Sequence, residues 1–217
     1  MKAYKAYIFD LDGTLLDSMG VWDQIDIDFL AKRGIAVTPD YMEAISSMAY
    51  HEIAAYTIKR FALTDSIEGL KREWNDMAAY AYGHTVRMKP YAKEYLLTLR
   101  ESGAKLAVAT SLFPELCGPV LQNNGIDKVF HAICNTVETG CGKSRPDVFL
   151  LAAEKIGVPA GDCLVFEDIL AAIKSAKNAG MDVCAVYDKM SENDWEEIKA
   201  AADYAIVDFR DAPGPKE

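Results

Sequence analysis

Three carboxylates, Asp10, Asp12 and Asp17, fall within eight positions directly after the apolar run Tyr7-Ile8-Phe9. A second acidic pair, Glu167-Asp168, closes the run Leu164-Val165-Phe166, and a third run, residues 105–110, ends on Thr110-Ser111. Carboxylates gathered in one crevice repel unless a cation sits among them. An all-oxygen set, with no histidine or cysteine near it in sequence, selects a hard ion such as Mg²⁺. Mg²⁺ held by only a few protein oxygens typically shares its shell with a phosphate. Asp10 and Asp12 stand two positions apart, so in an extended segment their side chains point the same way. One can attack phosphorus to form an aspartyl-phosphate while the other protonates the leaving alcohol and later deprotonates water. Gly13 suits a tight turn that lets backbone amides approach a phosphate. Thr110 offers a hydroxyl donor, and Lys143, on the small-residue loop Gly140-Cys141-Gly142, supplies a cation for the phosphoryl oxygens on the side away from the metal.

The elements that must position these groups follow from the hydrophobic pattern. Strands are expected at residues 4–9, 105–110, 131–135, 162–167, 182–187 and 204–207, each a short apolar run rich in Val, Ile, Phe or Tyr. Between the last four lie helical patterns at residues 145–156, closed by Gly157, at 169–179, closed by Gly180, and at 191–202, opened by a Ser191 cap. This alternation predicts a parallel sheet with helices on both faces, whose ligand crevice lies beyond the carboxyl ends of the strands. Nearly a hundred residues without a good strand signal separate the first strand from the second, and they read as an inserted helical unit. Ser18 is expected to cap its first helix, which Gly34 stops. Pro39 starts a second, residues 51–61 form a third and residues 66–82 a fourth. Pro90 then opens a helix over residues 91–100 that Gly103 ends. The crossings fall near Asp17 and Met88-Lys89-Pro90, and the tail from Asp211 reads as a frayed end.

The chain has 217 residues, 51% of them hydrophobic and 26% charged, the composition of an ordinary globular protein. No apolar run is long enough to span a bilayer and no secretory signal precedes the first strand, so a cytoplasmic protein without a membrane partner is expected. A formal net charge of -10 with no sizeable basic cluster argues against nucleic acid as a partner. The five cysteines are scattered and never spaced as CxxC, which fits small buried hydrophobes better than disulfides or zinc.

In order and spacing these residues resemble the four motifs of the haloacid dehalogenase-like (HAD) hydrolase superfamily. The nucleophile motif DxDGT stands at residues 10–14, "VATS" at 108–111 is similar to the phosphate-hydroxyl motif, "GKSRPDVF" at 142–149 to the lysine motif, and "FED" at 166–168 to the metal-carboxylate motif. The resemblance implies an α/β fold, a Rossmann-like doubly wound parallel sheet core with an inserted all-α helical cap. The core would comprise residues 1–16 and 88–217, and the cap, residues 17–87, would set substrate specificity. It further implies Asp10 as nucleophile and Asp12 as acid/base. Mg²⁺ would be bound by Asp10, Asp168 and the backbone carbonyl of Asp12, with Glu167 acting through a water, and phosphate by Gly13, Thr110, Ser111 and Lys143. The insert is similar to that of sugar-phosphate phosphatases and β-phosphoglucomutase. Ile169, Ala172, Ser144 and Leu112 depart from the usual serine, glycine, proline and second serine of that branch, and none removes a group with a chemical role. The expected activity is hydrolysis of a small phosphorylated metabolite, such as a sugar phosphate, by a monomeric enzyme. A β-phosphoglucomutase-like phosphomutase is the alternative, but it needs cap cations where Trp22, Ser47 and His51 stand, and only His51 can carry charge. A dehalogenase would need neither Asp12 nor Asp168, and a non-catalytic sensor would need none of the four motifs' reactive groups. Asp17, Trp22, Met48, Tyr50 and His51 are the candidate substrate contacts from the insert.

Overall fold

A computed structural model describes residues 4–45, 48 and 50–215. Strands β1 (Ala6–Phe9), β4 (Lys105–Thr110), β5 (Ala132–Asn135), β6 (Cys163–Glu167), β7 (Asp182–Val186) and β8 (Tyr204–Ile206) form one sheet in the order β5-β4-β1-β6-β7-β8. Every pairing is parallel. The intervening strands β2 (Leu16–Asp17) and β3 (Arg87–Met88) make a separate antiparallel ladder, with Leu16 opposite Met88 and Asp17 opposite Arg87. The chain thus works outward from β1 on one side and returns to its other side with β6, which makes the β1–β6 junction the switch point of a doubly wound sheet. The expectation of an α/β fold with a parallel core sheet is borne out.

The strand sequences explain this burial. All four residues of β1 and all five of β6 are buried, as an apolar strand covered on both faces requires. Helix α8 (Asp147–Ile156) lays Val148, Phe149, Ala152 and Ala153 against the small side chains Ala107, Ala109 and Cys134 of the sheet. Gly157 ends it in a left-handed conformation at φ 70°. On α9 (Leu170–Asn178), Ala172, Ile173 and Ala176 join the same core. Phe9 and Phe166 stack at 4.7 Å between ring centres, one residue before Asp10 and Glu167.

The polypeptide divides into two compact units, one of residues 1–19 and 86–217 and one of residues 20–85. The second unit is helical, with α1 (Val21–Ala31), α2 (Pro39–Ile45), α3 (Tyr50–Phe61) and α4 (Ile67–His84). Its core includes Ile25, Phe29, Tyr41, Ala54, Leu70 and Trp74, and Ser66 caps α4 by accepting the Gly69 N–H. In the first unit, α5 (Ala92–Glu101), α6 (Pro114–Asn123), α7 (Thr136–Thr139) and α10 (Trp195–Ala201) complete the helices. No helix of the described residues is long and apolar enough to cross a membrane.

Two caps expected from the sequence are absent. Gly20 precedes α1 without a side-chain cap, and the Ser18 hydroxyl donates instead to Asp12 Oδ1 at 2.5 Å. Ser191 lies inside a short 3₁₀ turn, Lys189–Asp194, whose N-terminus is capped by Asp188 accepting the Met190 N–H. In both places a carboxylate within reach of the backbone or the hydroxyl takes the hydrogen bond, and serine position alone does not decide the cap.

Candidate active site

Register carries the acidic groups together. Phe9 pairs with Phe166, and the Asp10 N–H donates to the Phe166 carbonyl at 3.1 Å, so Asp10 leaves β1 beside Glu167 and Asp168 at the end of β6. Carboxylate oxygens of Asp10, Glu167 and Asp168 lie within 4.8 Å of one another, and all three residues are buried. This is the switch point, where doubly wound sheets hold their ligands.

Lys143 answers part of that charge. Its Nζ pairs with Asp10 Oδ1 and, at 2.8 Å, with Glu167 Oε2. Burial opposes the ammonium, but Asp10 and Glu167 outweigh it and hold the Lys143 pKa above its ordinary value. Glu167 Oε1 accepts the N–H groups of Asp168 and Ile169 at 3.1 and 3.2 Å. That carboxylate therefore supplies the start of α9 with the acceptor that the apolar Ile169 lacks.

Asp168 is held differently. Thr14 Oγ1 donates to its Oδ1 at 2.9 Å, while Oδ2 is buried without a hydrogen-bond partner. Burial first, then the charges of Glu167 and Asp10, push the Asp168 carboxyl well above the usual range. Asp10 is also raised, by burial against the opposing pull of Lys143. Three buried carboxylates share only one ammonium, and one of them, Asp168, keeps an oxygen without a partner, so the oxygens make a donor set that a hard divalent cation fits. Gly13 shapes the cradle: at φ +77° a Cβ there would lie 2.3 Å from Asp168 Oδ2. Its own N–H is taken by the Leu16 carbonyl at 3.1 Å, so the missing side chain matters here for clearance.

Asp12 is not one of the three clustered carboxylates, although its charge acts on Asp10, and it accepts from Ser18, a pairing concealed by reading Ser18 as a helix cap. Thr110 is fully buried at the end of β4, and its oxygen accepts the Leu112 N–H at 3.0 Å, which leaves its O–H to donate. Ser111 is exposed. Asp17 is exposed on β2 and belongs to the unit that carries the cluster. In the helical unit, Trp22 and Tyr50 meet edge to face at 5.8 Å, and the Tyr50 hydroxyl donates to Asn75 at 2.7 Å. Met48 is half-buried and His51 exposed, while Ser47 lies outside the described residues. Sequence reading assigned no role to Thr14, although its place two residues past Asp12 in a tight turn is the signal for it.

A doubly wound α/β core with paired acidic strand exits and a buried lysine defines a class of hydrolases, and comparison with known proteins agrees. The model of the haloacid dehalogenase-like hydrolases matches residues 4–180, and the chain belongs to that family. A phosphorylated carbohydrates phosphatase of Thermotoga maritima is 25% identical over 94% of both chains. The fructose-1-phosphate phosphatase of Escherichia coli is 27% identical over 85% of this chain and 97% of its own. Among solved structures, a Thermotoga maritima protein provisionally described as a β-phosphoglucomutase superposes with a TM-score of 0.84 at 23% identity, covering 93% of this chain and 94% of that one. The CbbY protein of Rhodobacter sphaeroides, solved with phosphate, gives 0.75 at 21% identity over 96% of both. The expectation of a phosphoric monoester hydrolase of this family is borne out by the family match and the phosphatases among its relatives.

Proposed function

We propose that the protein is a Mg²⁺-dependent phosphomonoesterase acting on a small phosphorylated metabolite, a sugar phosphate or similar ester, through an aspartyl-phosphate on Asp10. The observation that carries this is the meeting of Asp10, Glu167 and Asp168 with Lys143 at the switch point of the sheet. Asp10, Asp168 and the Asp12 backbone carbonyl would hold the ion. Bound Mg²⁺ neutralises phosphoryl oxygens and withdraws charge from phosphorus. Asp10 attacks phosphorus in line, forming the Asp10–phosphorus bond as the ester bond to the alcohol breaks. Asp12 gives its proton to the departing alkoxide and takes one back from the water that later cleaves the acyl phosphate. Lys143 favours the ionised form of Asp10 against its burial and offers its charge to the phosphoryl oxygens, with the Thr110 O–H and the exposed Ser111 as further donors. Thr14 holds Asp168 in its pose, and Gly13 leaves room for it.

Residues of the helical unit, with Trp22, Met48, Tyr50 and His51 as candidates and Asp17 at the crossing, would select the alcohol. Of its six lysines and arginines, Lys32, Arg33, Arg60 and Lys71 are in ion pairs with Glu73, Asp65, Asp40 and Glu68, while Lys59 and Arg72 are exposed. The ion pairs leave fewer cations for the second phosphate that a mutase must grip, which favours hydrolysis.

The test is phosphate release from an ester panel with and without Mg²⁺, using wild-type protein and Asp10→Asn. Turnover should need the metal and vanish in the variant. Undiminished turnover by Asp10→Asn would remove the covalent route.

A further inference from the structure

We infer that Lys89 is a positioning residue for Asp12, acting through the β2–β3 ladder that it ties to the end of β7; this rests on the phosphomonoesterase reading above. Lys89 directly follows β3. Its Nζ donates to the Tyr187 carbonyl at 2.6 Å and pairs with Asp188 Oδ2 at 2.9 Å, with the two side chains only 10% and 7% exposed. The other Asp188 oxygen accepts the Met190 N–H at 2.9 Å, so the carboxylate is engaged at both ends. A buried pair of this kind adds little stability over an apolar pair of the same shape, so its distinctive contribution is fixed geometry.

What it fixes can be followed bond by bond. The Lys89 N–H donates to the Leu15 carbonyl at 2.8 Å, and Met88 pairs with Leu16. Leu16 in turn bridges to Asp12 and accepts the Gly13 N–H at 3.1 Å. The loop that carries Asp12 is thus tied through the ladder to Lys89, and through Lys89 to the strand beside β6. All of these residues belong to one compact unit. Asp12 must hold its proton within reach of the ester oxygen as the bond breaks, and such general acid catalysis contributes about 10²–10⁴-fold. Loosening the tie removes part of that factor and leaves the attack by Asp10 in place.

The leaving group reads the difference. Phenyl phosphate and p-nitrophenyl phosphate have nearly the same shape, but nitrophenolate departs with little need of a proton. The experiment compares kcat/KM on both esters, at saturating Mg²⁺, for the wild type, the double variant Lys89→Met/Asp188→Asn and Lys89→Arg. The double variant leaves no buried charge unpaired and keeps an oxygen for the Met190 N–H. It is expected to lose roughly tenfold or more on phenyl phosphate, a fraction of the general-acid factor, and less than about threefold on p-nitrophenyl phosphate. Lys89→Arg, which retains the charge, should show the same bias to a smaller degree, and it carries the test if thermal melting shows the double variant unfolded. Equal losses on the two esters, or no loss on either, would overturn the role of Lys89. A wild type that hydrolyses neither ester would instead overturn the phosphomonoesterase reading.

Discussion

A methyl group at position 13 probes the carboxylate cluster without altering any charge. In Gly13→Ala the backbone must keep φ near +77°, which costs an L-residue about 1–2 kcal/mol. The new Cβ would lie 2.3 Å from Asp168 Oδ2 and 2.8 Å from its Cγ. Ordinary contact begins near roughly 3.5 Å, so one group must move by about 1 Å. Asp168 is the group that gives, because position 13 lies in the turn fixed by the Leu11 and Leu16 carbonyls. Its motion breaks the Thr14 bond and spoils the proposed ligand set, since Mg²⁺ requires near-ideal geometry. The expected loss is about 10- to 100-fold in Mg²⁺ affinity, the range produced by disturbing the support of a metal ligand. Calorimetric titration with Mg²⁺ measures this directly, and a melt in EDTA reports the backbone cost as a fall of roughly 2–8 °C. A folded variant with wild-type Mg²⁺ affinity would refute the assignment of Asp168 as a ligand held clear by Gly13.

Three further outcomes are expected. Lys143→Met leaves Asp10 and Glu167 buried without their cation, which should destabilise the protein by about 3–5 kcal/mol in urea titrations at low Mg²⁺; a smaller change would mean that the lysine is not the counter-charge. Asp26, buried in the helical unit with the Tyr41 hydroxyl 3.4 Å away, has its carboxyl raised by burial from the ordinary 3.8 to about 6. A raised carboxyl favours the protonated folded state, so its stability is present below pH 4 and lost as pH rises through about 6. Asp26→Asn should therefore match wild type near pH 4 and exceed it by about 2–3 kcal/mol at pH 8, read from urea midpoints by tryptophan fluorescence. Phosphorus NMR of a hexose phosphate turned over by the enzyme should show inorganic phosphate and no isomeric ester, and an isomeric ester would favour the mutase.

Much of the core could be read in advance because β4 and β6 are continuous apolar runs closed by polar residues, a pattern dictated by burial on both faces. The expected strand 105–110 coincides with β4. The strand expected from residue 4 begins instead at Ala6, although the Lys5 backbone still bonds to Asp162 and Lys105 at 3.0 Å. Helix α6 went unread: Gly118 and Pro119 interrupt its pattern, although Pro114 at its first turn is favourable. The two-residue strands β2 and β3 have no periodicity to find. At the site, charge at strand exits was legible, since topology brings those exits together. The Ser18–Asp12 and Lys89–Asp188 bonds were hidden, the first by a competing local role for serine and the second by a separation that only the folded sheet closes.

The two strands that meet at the switch point are neighbours in space, yet β1 ends at Phe9 and β6 begins at Cys163. During synthesis the ribosome delivers Asp10 long before Glu167, Asp168 or even Lys143. A growing polypeptide consequently carries Asp10 and Asp12 without the partners that β6 and the lysine loop supply. Assembly order thus keeps the acidic cluster incomplete until four of the six strands of the sheet have been made.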